Sequence, residues 1–123
     1  MDKLREIVAA KPYFIWTSNI DHHFALAEFN NLLEIEGNWQ TGICSKRPKD
    51  HSPIDLKEAL HQIYEKDQAG TLTDDDLPTC LECGARLSLN IPGSVFNMDQ
   101  TQVNSFEKFL TTYQDKKILV LEL

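Results

Sequence analysis

The sequence predicts an α/β fold: part of a parallel sheet, incomplete at both ends, interrupted by a small metal-knuckle and helical insertion. Three observations carry this. "YFIWTS" (13–18) and "KKILVLEL" (116–123) are continuous apolar, β-prone runs, the pattern of parallel strands covered on both faces. Helical patterns precede and separate them. Between them, Cys80-Leu81-Glu82-Cys83-Gly84 forms a CxxCG knuckle, in which both sulfurs face one ion and the glycine relieves the turn.

The elements follow in order. Asp2 is placed to cap a first helix with Leu4, Ile7 and Val8 on one face, ended by Lys11-Pro12. The buried strand 13–18 gives way to a polar turn and a short helical piece in "NIDHHFALAEF". "LLEIE" reads as a second strand, with Leu33 and Ile35 facing one way and Glu34 and Glu36 the other. "SKRPKDHSP" (45–53) is a basic, Pro-containing loop. Ser52 and Pro53 are then N-cap and first residue of a helix presenting Leu56, Ala59, Leu60, Ile63 and Tyr64. Asp74–Asp76 lacks the spacing of a calcium loop and reads as solvated. Asp99 or Thr101 caps a last helix with Val103, Phe106, Phe109, Leu110 and Tyr113 inward, and 116–123 is the final buried strand. The expected division is 1–36 for the first part of the sheet, 37–98 for the insertion and 99–123 for the return to the sheet. Two core strands are few for an open α/β sheet, so the chain is expected to be a piece of a larger domain or to complete its sheet with a second copy. An unpaired apolar edge favours a homodimer.

Composition narrows the functions. The chain has 123 residues, 41% hydrophobic and 25% charged, which suits one globular domain. A net charge of −7 opposes non-specific binding to nucleic acid or to acidic membranes, and no apolar run reaches the roughly 18 residues of a membrane span. An anionic cofactor remains compatible, because backbone N–H groups bind phosphate locally. Three cysteines, without an apolar leader, fit reduced thiols or metal ligands in a cytoplasmic setting.

Two motifs carry candidate chemistry. Cys80 and Cys83 have one further cysteine upstream, Cys44, and the position that would complete a second CxxC is Arg47. Three sulfurs are available and tetrahedral zinc takes four ligands. His51 is the nearest candidate fourth and His61 lies on the helix; the alternative is a metal-free site whose thiols pack as small apolar groups. The second motif is Thr17-Ser18-Asn19-Ile20-Asp21, set after a strand, where α/β sheets carry their ligand sites. The alternative is an ordinary turn with Asn and Asp bonding their own backbone. His22 and His23 are read as exposed or cofactor-edge residues.

In order and spacing, "TSNID", "LEIEGN", Cys44, "PTCLECGARL", a helix and "KILVLEL" resemble the central part of a sirtuin. The family pattern runs Gln-Asn-Ile-Asp, Glu-Leu-His-Gly, a CxxC pair, a second pair in a Pro-x-Cys-x-x-Cys-Gly setting, and a strand into a Gly-rich turn. Phe24 after "SNIDHH" and the long acidic insert between cysteines resemble the macrodomain-linked bacterial branch, whose activity is protein ADP-ribosyl transfer rather than lysine deacylation. The resemblance implies a Rossmann-like sheet and a zinc-ribbon-like insertion. It also implies NAD as cofactor and an acyl-lysine or ADP-ribose acceptor protein as partner.

The resemblance places Ser18, Asn19 and Asp21 at the cofactor, Asn19 on the ribose and an ordered water, and Asp21 near the nicotinamide amide. It places Glu36, with Asn19, among the catalytic positions, and Cys44, Cys80 and Cys83 as metal ligands of an incomplete set. The sequence departs from the pattern at Ser18 for Gln, Glu36 for the catalytic His and Arg47 for Cys, and nothing before Tyr13 matches the Gly-Ala-Gly-x-Ser phosphate loop. A glutamate, ordinarily ionised at pH 7, is a weaker base than His but favours an oxocarbenium-like cation. Three readings follow: a fragment of an NAD-dependent ADP-ribosyltransferase or deacylase, weak or inactive alone; a catalytically dead relic that dimerises; and a zinc-knuckle interaction module.

Overall fold

The computed structural model describes residues 1–93 and 95–122. Helix α1 (Asp2–Val8) leads into strand β1 (Ile15–Thr17). After the short helix α2 (His23–Leu26), strand β2 (Leu32–Glu34) returns parallel to β1, pairing Ile15 with Leu32, Trp16 with Leu33 and Thr17 with Glu34. Parallel strands must be joined by a crossover, and residues 18–31 supply it. The C-terminal ends of both strands therefore lie on one edge.

The second sheet is antiparallel, with strand β3 (Asn38–Cys44) between β4 (Ile54–Asp55) and β5 (Leu87–Asn90). Gly42 pairs with Ile54 on one side and Leu89 on the other. A Cβ at Gly42 would stand 3.0 Å from a Leu56 methyl, so the missing side chain makes room for buried Leu56. Helix α3 (Lys57–Gln68) follows, and a 3₁₀ turn (Asp74–Asp76) closed by a Thr73 capping box leads to the knuckle. Asp76 also pairs with Lys66 of α3.

Helix α4 (Gln100–Tyr113) packs back against β2. The Asp99 carboxylate caps it, accepting the N–H groups of Thr101 at 2.8 Å and Gln102 at 3.2 Å. Phe106 and Phe109 meet Phe14 at ring-centroid distances of 5.2 and 5.5 Å, and Phe106 stacks on Trp16. Phe29, Leu32 and Leu33 are buried in the first sheet region, Ile43 and Leu56 in the second, and Cys44, Cys80 and Ala85 form a small cluster with Leu87.

The mixed α/β architecture with a parallel pair agrees with the expected fold class, and three local expectations are corrected. The 116–123 segment is not a buried strand: Ile118, Leu119, Val120 and Leu121 are exposed, and 117–122 has no regular structure, with Leu123 outside the described residues. An apolar run becomes a parallel strand only beside a strand that offers a ladder, and β1 pairs, among the described residues, with β2 alone. For the same reason Trp16 is 65% exposed. Helix α3 starts at Lys57 rather than Pro53, because Ile54 and Asp55 are drawn into pairing with β3; the Asp55 carboxylate accepts the Lys57 N–H at 2.9 Å. Glu34, expected on the open face opposite Leu33, is buried along with it. Among the described residues, no helix is long and apolar enough to cross a membrane.

The turn from β2 to β3 depends on Gly37, at φ +66°, a conformation disfavoured for residues with a Cβ. A Cβ there would lie 2.1 Å from the Asn90 carbonyl oxygen. Gly37→Ala is expected to destabilise the fold by about 2 kcal/mol or more, measured by chemical denaturation; a loss below about 0.5 kcal/mol would contradict this.

Candidate functional site

Two constellations stand out. The first is a cluster of four metal-ligating side chains drawn from three places. Cys44 ends β3, His51 lies on the basic loop, and Cys80 and Cys83 flank the knuckle turn. The knuckle forms because the Cys80 carbonyl accepts the Gly84 N–H at 2.8 Å and the Cys80 N–H reaches the Ala85 carbonyl at 2.7 Å. Gly84 takes φ +68° with open space around it.

The donor atoms of Cys44, His51, Cys80 and Cys83 all lie within 4.8 Å of one another. Cys44 and Cys83 sulfurs are 3.6 Å apart, and His51 Nδ1 is 3.2 Å from the Cys80 sulfur. Tetrahedral zinc spaces such donors roughly 3.5–3.8 Å apart, so three sulfurs and one imidazole fit one ion. His51 thereby fills the fourth position, and His61, exposed on α3 beside Glu65, is not part of the cluster.

The electrostatics suit a cation. Burial pushes the Cys44 thiol up, but the backbone N–H groups of Arg47 and Lys46 and the bonds with Cys83 and His51 outweigh it, lowering the pKa to about 6. The bond to the Cys80 sulfur raises His51 above its ordinary value, against desolvation. The Ala85 N–H pulls Cys83 down, but desolvation and the sulfurs of Cys44 and Cys80 leave it raised. Arg47 contributes a backbone donor to the Cys44 sulfur at 3.4 Å. Its exposed side chain lines, with Lys46, Lys49, Asp50, Val95 and Phe96, an open hollow of about 480 Å³.

The second constellation lies at the C-terminal edge of the β1–β2 pair. Ser18 and Asn19 are exposed directly after β1, and Glu36 is exposed in the turn after β2. Main-chain bonds hold these segments side by side: the Ile35 N–H donates to the Thr17 carbonyl at 3.0 Å and the Trp39 N–H to the Ile20 carbonyl at 3.1 Å. The Asn19 N–H is fixed on Thr17 Oγ1 at 3.1 Å. Asp21 accepts the His23 N–H at 3.1 Å and stands 3.3 Å from the His23 ring, so its carboxylate is engaged at the start of α2.

Sequence reasoning missed the buried group in this edge. Glu34, with its side chain 1% exposed, lies 2.8 Å from His22 Nδ1 and accepts from Asn38 Nδ2 at 2.7 Å. Its backbone N–H donates to the Gln102 side chain at 2.7 Å. His22 is therefore a carboxylate partner, and the reading of it as exposed or cofactor-edge is corrected. The available signal was a glutamate directly after Leu32-Leu33: within a doubly covered strand, an acid must find donors. Glu34, Asn38, Thr41, Asn90, Asn97 and Gln102 help line a cleft of about 360 Å³ beside the turn.

No protein-family model matches the chain. Among solved structures, it is similar to a structure on sirtuin substrate affinity, with a TM-score of 0.53 and 19% identity over 87% of this chain and 38% of that one. It is also similar to Sir2Tm bound to a propionylated peptide (0.52, 19%, 87% and 39%) and to a Sir2–p53 peptide–NAD+ structure (0.50, 18%, 86% and 39%). The fold is sirtuin-like. A protein ADP-ribosyltransferase from Staphylococcus aureus (strain Mu50 / ATCC 700699) is 26% identical over 129 aligned positions, covering 98% of this chain and 40% of that protein. This sirtuin-like chain thus spans about 40% of the length of the relatives it matches.

The metal reading has a direct test. The folded protein is expected to bind one zinc ion, read by elemental analysis, with proton release on uptake. His51→Ala or Cys80→Ser is expected to lower affinity by at least about tenfold. A folded, metal-free protein that takes up no zinc at micromolar concentration would sink the assignment.

Proposed function

We propose that the chain corresponds to the central part of a sirtuin-like NAD-dependent transferase, with protein ADP-ribosyl transfer as its activity. The observation that carries this is the alignment of nearly the whole chain with the staphylococcal protein ADP-ribosyltransferase; the sirtuin-like fold supports the family level. The division into 1–36, 37–98 and 99–123 is part of the same proposal: a Rossmann-like segment, a zinc-bearing insertion and a return to the first layer. NAD is the proposed ligand of the exposed edge after β1, and an acceptor protein the proposed partner. Lysine deacylation, with an acyl-lysine acceptor, is the alternative at this edge.

In this reading Ser18 and Asn19 contact the ribose side of the cofactor and Asp21 lies toward the nicotinamide amide. As nicotinamide leaves, positive charge grows on the ribosyl carbon and ring oxygen. A carboxylate at Glu36 favours that cation electrostatically, while offering a weaker base than an imidazole. The zinc ligands Cys44, His51, Cys80 and Cys83 hold the insertion in shape and take no part in bond breaking. The net charge of −7 argues against nucleic acid as the acceptor, and free thiols in a metal-ligand arrangement support a cytoplasmic setting.

Calorimetric titration with NAD tests the reading. Weak binding, at millimolar concentration, is expected, because positioning supplies much of such an enzyme's advantage and the chain spans about 40% of the length of the relatives it matches. Asn19→Ala is expected to weaken binding by about tenfold. No heat at millimolar NAD would overturn cofactor binding by this chain.

A second reading, a relic or interaction module that dimerises, is favoured by a specific observation. Leu119 and Val120 are 88% and 85% exposed, in a chain whose β1 is paired, among the described residues, on one side only. An open strand edge and an exposed apolar run are each templates for association. Light scattering during size-exclusion chromatography is expected to give about twice the 14.1 kDa of the chain. A monomer across micromolar concentrations would rule the dimer out.

A further inference from the structure

We infer that Glu34 is a positioning residue: its buried carboxylate locks the 18–22 loop against the 35–37 turn and so sets the geometry between Asn19 and Glu36. The inference rests on the reading of those two segments as the site, and its geometry stands independently of that reading. One oxygen, Oε1, lies 2.8 Å from His22 Nδ1; the other, Oε2, accepts Asn38 Nδ2 at 2.7 Å. His22 is the last residue of the loop, at the N-cap of α2. Glu34 and Asn38 bracket the turn, so their mutual bond clamps its two ends, reinforced by the Gly37 N–H on the Glu34 carbonyl at 2.9 Å.

Backbone strain points the same way. His22 sits at φ +60°, a left-handed conformation that is costly for a non-glycine residue and persists only where surroundings impose it. His22 is at the N-cap of α2 and provides no side-chain cap bond there; its ring is spent on Glu34 instead. Asn38 is committed too, since its Oδ1 receives the Gln40 N–H and the Thr41 hydroxyl, each at 3.0 Å. This leaves its amide to donate to Glu34. The buried carboxylate has, among the described residues, no Lys or Arg partner, so His22 and Asn38 carry its burial.

Hydrogen exchange followed by NMR tests the lock, with two variants and one spectroscopic check. In the wild type, long-range proton–nitrogen spectra are expected to show a proton on His22 Nδ1. His22→Gly removes the ring and relieves the strained φ; a role confined to global stability predicts a lower melting temperature with faster exchange at all protected amides, α4 included, and that uniform change would also overturn the inference. The lock predicts instead that amides of 19–23 and 35–39 exchange at least about tenfold faster while those of α4 do not. Glu34→Ala is expected to do the same, because it removes the acceptor atoms that face both His22 and Asn38; if that variant fails to fold, His22→Gly alone decides. Unchanged exchange in His22→Gly, or a bare Nδ1 in the wild type, would overturn the inference. None of these readouts uses NAD, so a failed NAD titration counts against the proposed function and not against the lock.

Discussion

The burial of the Glu34 carboxylate is the constraint on which the arrangement of this chain turns. An ion removed from water costs several kcal/mol unless hydrogen bonds replace its hydration. Glu34 meets that demand with His22 from the crossover and Asn38 from β3, while its backbone N–H engages Gln102 of α4. A three-residue strand thus binds to the loop before α2, to the second sheet and to the last helix. The β1–β2 pair is too short to fix these neighbours by its ladder alone. Polar satisfaction of one side chain does so, and the aromatic contacts of Phe14 and Trp16 with α4 add the apolar share.

The second sheet depends on its metal-ligating cluster in a comparable way. Its large fully buried side chains, Ile43 and Cys44, are few, and small cores of this kind usually need a cross-link. The cluster joins Cys44 to Cys80 and Cys83 across the span that includes α3. Closing a long span removes chain entropy from the unfolded state, so an ion held by the four donors acts chiefly as a staple. Backbone N–H groups of Arg47 and Lys46 chiefly lower Cys44 against its burial, and the Cys80 sulfur raises His51, so the cluster favours thiolate beside positive charge.

Much of this was legible in the sequence, for identifiable reasons. The CxxCG knuckle and the Asp99 cap are local, set by the chemistry of a few adjacent residues, and they occur as read. Periodicity placed α3 and α4, though it missed the start of α3, because the pairing of Ile54 with Gly42 is a long-range contact. The strand expected at 116–123 failed for a related reason: β-propensity describes a residue's fit to a sheet, not the presence of a partner strand. His51 was visible only as the nearest spare ligand, since spacing cannot fold a loop back onto a knuckle. Glu34 was misread because alternation assumes one wet face, and in a parallel pair covered by α4 that assumption fails; His22 was misread because its partner lies twelve residues on.

Two glutamates separated by one residue therefore have opposite environments, and this bears on the chemistry the edge can support. Glu34 is sequestered and fully hydrogen-bonded, so it is committed to structure. Glu36 is presented to solvent by a turn whose ends are clamped and whose Gly37 backbone admits no side chain. The clamp fixes the backbone from which this carboxylate projects, so a cation developing beside the turn would meet its charge. Any transfer chemistry at this edge accordingly draws on charge stabilisation and positioning, and the positioning resides in Glu34 rather than in Glu36 itself.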